Sequence, residues 1–267
     1  MNMIVCCKQV IDPEAPPASF KVDAASNKVV PPQGVPPVIS PFDESAVEAA
    51  LRVKDAKGGK VTVLSLGTNL LRDVVKKPLS MGADELILLE DAAFAEGDSY
   101  TIAYALSMAI KKIGAFDLIF CGRQAADWDS GQVGSGIAEL LGLPSVTLAK
   151  KIDITAEGKA RVEKLITDGY EVIEVSLPAL ITVSNEIGQP RYPTMKGIMA
   201  AKKKEPVTWK PADIGADSTR LGAAGRRAKL VKLFQPVKEG KVEIIGGQTP
   251  EEAGANLALK LREIKVL

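Results

Sequence analysis

The sequence predicts an α/β fold: a doubly wound, mainly parallel sheet with an antiparallel extension and a C-terminal arm ending in a helix. Three observations predict it. Up to about residue 149, short β-branched runs without in/out alternation are separated by amphipathic stretches, as expected of strands buried on both faces with helical crossovers. From about Lys150 the runs alternate and carry turn dipeptides, which marks antiparallel strands with one wet face. After Pro206 the chain is rich in Lys, Gly and Pro until a capped apolar stripe closes it.

Residues 3–8, 61–66, 85–90 and 117–121 are the buried strands. Ser40-Pro41-Phe42-Asp43 reads as a capping box with proline at the first helical position, opening a helix to about Lys57. A second helix is expected over about 70–81, ended or kinked by Pro78. A third covers 99–113 and a fourth about 132–141. With right-handed crossovers these elements make a Rossmann-like sheet. Residues 152–155, 160–166, 171–177 and 180–184 form the expected extension (about 150–185), with turns at Glu157-Gly158 and Asp168-Gly169. Residues 206–248 read as an extended arm. Thr249-Pro250-Glu251-Glu252 reads as a second capping box, opening a helix with Ala253, Leu257, Leu261 and Ile264 in one stripe. The domain reading is therefore 1–205 and 206–267.

Composition narrows the function. Hydrophobic residues make up 46% of the 267-residue chain and aromatics 4%, so the core is built of Val, Ile, Leu and Ala. Lys+Arg 34 against Asp+Glu 33 gives +1, which argues against a general nucleic-acid or membrane-surface binder. No apolar run nears the roughly 20 residues that span a bilayer, so direct membrane insertion is not expected. The N-terminus lacks the layout of a signal peptide, and a cytoplasmic protein is the simplest reading. Cys6, Cys7 and Cys121 make neither a disulfide framework nor a metal motif. Histidine is absent, which removes Ser-His and Cys-His nucleophile pairs and imidazole bases together. Cofactor binding suits such a chain better than acid–base chemistry.

In an open α/β sheet, ligands bind beyond the carboxyl ends of the strands, where helix N-termini offer free N–H groups. Gly122-Arg123-Gln124-Ala125-Ala126-Asp127-Trp128-Asp129-Ser130-Gly131-Gln132-Val133-Gly134-Ser135-Gly136 leaves a buried strand and enters a helix. Its glycines admit a ligand or a neighbouring backbone. Ser130 can cap the helix or donate to a phosphate, and Asp127 and Asp129 suit ribose hydroxyls or ordering of the turn. The stretch fits neither the dinucleotide fingerprint nor the P-loop, and an ordinary strand-to-helix turn explains it as well as nucleotide binding does. Cys6, the Ser40–Asp43 segment and Leu66 also lie at strand ends or helix starts and complete an adenine and ribose slot. The residues by themselves favour Cys6 and Cys7 as small core residues of a central strand, and Lys8 and Arg123 as solvated rim charges.

Several motifs together resemble a known family. Lys8-Gln9-Val10-Ile11-Asp12, Ser40-Pro41-Phe42-Asp43-Glu44, Met81-Gly82-Ala83-Asp84, Gly122-Arg123-Gln124-Ala125 and Pro190-Arg191-Tyr192 with Ile198-Met199 and Lys202-Lys203-Lys204 are similar to the β subunit of electron-transfer flavoproteins. Residues 162–171 and 177–183 are similar to that subunit's signature region. The likeness runs from the first strand to about Lys204; beyond Pro206 it rests on architecture. It implies a heterodimer whose larger α subunit holds most of an electron-carrying FAD near the interface. It also implies a β-subunit pocket for an adenine nucleotide: AMP in one branch, a second FAD in the electron-bifurcating branch. The pocket residues would be Cys6, Ser40, Pro41, Phe42, Asp43, Leu66 and Gly122 through Val133.

The function so implied is electron carriage from acyl-CoA-type dehydrogenases to a quinone reductase, with no catalytic side chain on this chain. Tyr192, Met195, Ile198 and Met199 fall on the family's docking loop (about 190–200). Met195 would plug the partner's pocket, while Ile198 and Met199 anchor the short helix inward. The lysines that follow would begin the arm that embraces the α subunit. Three departures stand out: Thr167 replaces an acidic signature residue, Pro13 replaces a tyrosine near the flavin, and Asp127-x-Asp129-Ser130-Gly131-Gln132-Val133-Gly134 is more similar to the two-flavin branch than to the polar loop of the AMP branch, although Trp128 replaces a small residue there. Trp128 would crowd a full dinucleotide, which favours AMP. The alternatives are a bifurcating subunit with a second FAD that oxidises NADH, and a nucleotide-hydrolysing α/β enzyme. The latter lacks a phosphate loop and an evident Mg²⁺ carboxylate cluster.

Overall fold

In the computed structural model, which describes all residues except 156–157, 237–239, 241 and 267, the elements in chain order are these. β1 is Asn2–Cys7, β2 Gln9–Val10, β3 Lys21–Asp23, β4 Lys28–Val30 and β5 Val38–Ile39. Then come α1 Pro41–Lys57, β6 Lys60–Gly67, α2 Arg72–Val75, α3 Lys77–Met81, β7 Glu85–Glu90, α4 Ser99–Ile113, β8 Leu118–Gly122 and α5 Val133–Leu141. β9 is Ser145–Ile154, β10 Lys159–Ile166, β11 Gly169–Ser176 and β12 Ala179–Val183. α6 Met195–Lys203, β13 Val207–Trp209, α7 Gly222–Gly225 and α8 Pro250–Glu263 follow.

The apolar runs become a nine-stranded sheet of order β11-β10-β9-β12-β8-β1-β6-β7-β13. From β9 across to β13 every pairing is parallel, and β10 and β11 extend the β9 edge antiparallel. The lack of alternation has a direct cause. In β1, Met3, Val5 and Cys7 pack into one core, while Ile4 and Cys6 pack into the other. α1 covers the first face with Ala46, Val47, Ala50 and Leu51. α4 and α5 cover the second with Ala103, Leu106, Ile110 and Ile137. Each aliphatic side chain so buried contributes about 1.5–3 kcal/mol, so the two faces fix the register. β2 with β5 and β3 with β4 form small antiparallel pairs.

The structure corrects several expectations. The helix over 70–81 is two short helices broken at Lys76; Pro78 occupies the first turn of α3, where its missing N–H costs nothing. Residues 180–184 do not belong to the antiparallel extension: β12 is fully buried and runs parallel between β8 and β9. Its run ALITV, apolar but for the buried Thr182, suits a central position. Ser40 is the N-cap residue of α1, but neither it nor Asp43 makes a capping box. The turn expected at Glu157-Gly158 and part of the arm over 206–248 lie outside the described residues.

Contacts divide the chain into two compact units, Met1–Lys232 and Leu233–Leu267. The boundary expected near 206 falls inside the first unit, because β13 adds a parallel edge strand beside β7. In the second unit, Thr249 accepts the Glu252 N–H and starts α8, but the capping box is only half made, because Glu252 accepts the Gln248 N–H instead of that of Thr249. Ala253 and Leu261 are half-buried, whereas Leu257 and Ile264 are exposed. Among the described residues, no helix is long and apolar enough to cross a membrane.

Candidate functional site

β1 and β8 are neighbours, and the helices that follow them, α1 and α5, pack into opposite cores. Their carboxyl ends therefore flank a crevice at a topological switch point, the favoured ligand position in such sheets.

One buried carboxylate ties the two sides together. Asp43 accepts the Lys8 N–H at 2.8 Å through Oδ2 and the Gly122 N–H at 3.0 Å through Oδ1. Burial pushes its carboxyl up to about 7 against the pull of these hydrogen bonds and of Lys8. Gly122 has no room for a side chain: a Cβ would lie 2.5 Å from Asp43 Oδ1 and 2.7 Å from the Phe42 carbonyl carbon. Gly134 is equally confined, with a Cβ position 2.7 Å from Thr182 Cγ2.

The loop after β8 folds back over these strand ends. The Arg123 N–H donates to the Val183 carbonyl at 2.9 Å. Asp127 pairs with Lys8 Nζ at 2.7 Å, and Ser40 Oγ accepts the Ala126 N–H at 3.4 Å. Asp129, at φ 51°, closes the turn on the Ala125 carbonyl and accepts from Gln124 Nε2 at 2.8 Å. Ser130 Oγ and Ser99 Oγ are 3.3 Å apart. The guanidinium of Arg123 lies 5.0 Å from the Phe42 ring centroid, and its buried Nε has no hydrogen-bond partner among the described residues. α5 begins after Gln132, whose side chain makes no cap bond to the amides of its first turn.

The crevice thus gathers Ser40, Phe42, Asp43, Gly122, Arg123, Gln124, Ala125, Ala126 and Asp127, with Asp129 through Val133 completing the loop. Pro41 is exposed and Leu66 half-buried at the end of β6. Cys6 lies below, in the core, opposite Cys121 on the neighbouring strand. Burial raises the Cys7 thiol, and hydrogen bonding to Cys6 together with burial raises that of Cys121, so neither is a ready nucleophile. Trp128 is 57% exposed and turns to solvent.

The residues expected to dock a partner stand apart from the crevice, on α6 and the segment before it. Tyr192 is 88%, Met195 74% and Met199 61% exposed, and Ile198 is half-buried. Met199 therefore does not anchor α6, as expected from sequence; the buried Ala201 does. Met195 and Met199, four residues apart, share one outward helix face.

A strand-end crevice with anion-seeking donors occurs in many α/β proteins, and comparison decides among them. A model of the electron transfer flavoprotein domain matches residues 28–214. The chain belongs to the electron transfer flavoprotein family. It is 41% identical over 268 residues, all of both chains, to the electron transfer flavoprotein subunit beta of Thermoanaerobacterium thermosaccharolyticum. Over 244 residues, 88% of each chain, it is 41% identical to the subunit of that name from Megasphaera elsdenii. Over 268 residues, again all of both, it is 38% identical to the caffeyl-CoA reductase-Etf complex subunit CarD of Acetobacterium woodii.

Two site features escape sequence reasoning. The Lys8–Asp127 pair joins residues 119 positions apart, which no local pattern announces. Glu48 could have been found: it is a carboxylate inside the run Ala46-Val47-Glu48-Ala49-Ala50-Leu51, every member of which is buried. A charge on such a face requires partners.

Proposed function

We propose that this chain pairs with a larger α-type subunit, holds AMP in the β1/β8 crevice and contributes to the surroundings of an FAD held mainly by that subunit. One observation carries the nucleotide reading: Arg123 Nε is buried without an acceptor, and Gly131, just before the uncapped start of α5, lies against the Arg123 carbonyl. Donors of this kind suit a phosphate. Asp43 holds the strand ends apart at the width its two hydrogen bonds set, and the Lys8–Asp127 pair closes the loop over them. FAD supplies the electron-carrying chemistry when bound; the side chains of this chain bind, orient and shield.

The complex takes electrons from acyl-CoA-type dehydrogenases, docking through Tyr192, Met195 and Met199, and delivers them to a quinone reductase. Methionine suits a surface that meets several partners. The exposed apolar side chains of the C-terminal unit, Val242, Ile244, Leu257 and Leu259, are the arm that packs on the larger subunit.

The second reading, a bifurcating subunit with a further FAD that oxidises NADH, is favoured by one feature: Trp128 points to solvent and does not fill the loop. Denaturing the purified complex and separating the released nucleotides by chromatography tests both. One FAD and one AMP per heterodimer are expected. Two FAD without AMP would overturn the AMP reading in favour of the bifurcating one.

A further inference from the structure

The segment that carries Tyr192 and Met195 is fastened at both ends, and its leading fastening is a charge cluster around the buried Glu48 of α1. Glu48, in the buried run of α1, receives four hydrogen bonds. The Arg191 N–H donates to Oε2 at 3.0 Å and Arg191 Nε at 2.8 Å; Arg191 Nη2 reaches Oε1 at 3.3 Å and Arg52 Nε reaches it at 2.8 Å. Arg191 Nη2 also donates to Asp55 at 2.8 Å, and Arg52 Nη1 to the Ile187 carbonyl at 2.6 Å. Burial alone would raise the Glu48 carboxyl, but the hydrogen bonds and charges of Arg191 and Arg52 hold it below its usual range.

The trailing end is held differently. Thr194 Oγ1 accepts the Gly197 N–H at 3.0 Å and caps α6. Gly197 sits so close to α3 that a Cβ would lie 2.3 Å from the Ser80 carbonyl. Ala201 is buried, and Lys204 Nζ donates to the Asp84 carbonyl at 2.7 Å. Between these fastenings the chain displays Tyr192 and Met195, with Met199 on the same helix.

We propose that Glu48 is a positioning residue for partner docking: through Arg191 it holds the Tyr192–Met195 stretch in its binding conformation before the dehydrogenase arrives. This rests on the reading of that stretch as the docking surface. A preorganised segment spares the partner the ordering cost of association, so losing the clamp acts on encounter and affinity, not on the flavin. Two guanidinium groups that reach the buried carboxylate from the rim also explain why a charge persists on an otherwise apolar helix face: the planar fork of Arg191 fixes a direction that a lysine would not.

The test uses the assembled heterodimer, with a short-chain acyl-CoA dehydrogenase reduced by its acyl-CoA as the electron donor. Glu48→Gln should raise the KM for the dehydrogenase roughly tenfold, in the range of a lost interface anchor, while kcat at saturation and FAD content stay unchanged. Amide hydrogen exchange over residues 190–199 should quicken in the same variant. If Glu48→Gln fails to assemble, Arg191→Gln, which leaves the Glu48–Arg52 pair in place, carries the same measurements. Unchanged KM and unchanged exchange in an assembled variant would overturn the proposal. Met195→Ala separates the two levels: if it raises KM while the clamp variants do not, only the clamp falls. If Met195→Ala itself leaves KM unaltered, the docking reading falls.

Discussion

Asp43 shows how a single residue can set the character of the site. Both of its oxygens face N–H donors, Lys8 on one side and Gly122 on the other, so a proton on either oxygen displaces a hydrogen bond. Burial nonetheless raises its carboxyl from the ordinary 3.8 to about 7. Between those values the folded chain holds a proton that the unfolded chain has released, so this group's contribution to stability falls as pH rises through that window and levels off above it. The slope is about 1.4 kcal/mol per unit of pH at most. Asp43→Asn cannot titrate. Urea midpoints measured from pH 4 to 8 should fall less with rising pH in the variant than in the parent, and the variant should retain less nucleotide through purification, because its amide offers one acceptor where two are needed. Identical pH slopes would show that Asp43 titrates elsewhere.

At the scale of elements, the proposed docking segment and the crevice depend on helices that do different work. α1 serves both: its first turn supplies Asp43 to the crevice and its middle supplies Glu48 to the Arg191 clamp. α6 presents Met195 and Met199 on one outward face, so truncating Met195 to alanine removes one of two adjacent anchors. Electron transfer from a reduced acyl-CoA dehydrogenase at subsaturating concentration should slow about tenfold in Met195→Ala, corresponding to roughly 1–2 kcal/mol, with FAD content unchanged by absorbance. α1 and β7 were legible in the sequence because a cap or a buried run ended where the element did. The 70–81 helix was not, because Pro78 sits equally well in the first turn of a new helix as at the kink of an old one. The outward turn of Met199 was also hidden. Ile198 and Met199 are similarly apolar, and only packing against α3 decides which side of α6 faces the protein.

For the whole molecule, the division at Lys232/Leu233 separates a unit with two buried cores from one whose helix α8 buries none of its residues. Burial of that unit against the larger subunit is the source of stability proposed for it, since an isolated helix of this length is marginal in water. A chain ending at residue 232 should therefore keep a cooperative unfolding transition but fail to co-purify with the α-type subunit. Retention of full co-purification would place the subunit interface on the first unit.

Pattern along the chain was enough for the class of fold, the strands β1, β6, β7 and β8 and the loop that follows β8. These depend on local burial periodicity and on motifs, which a linear chain displays. Only the tertiary structure decided that β12 runs between β8 and β9, that β13 extends the sheet past residue 206, and that Asp43, Lys8 and Asp127 meet across the crevice. Those are contacts between residues tens of positions apart. Their energies depend on register and on shared burial, which appear only once the two faces of the sheet have been covered.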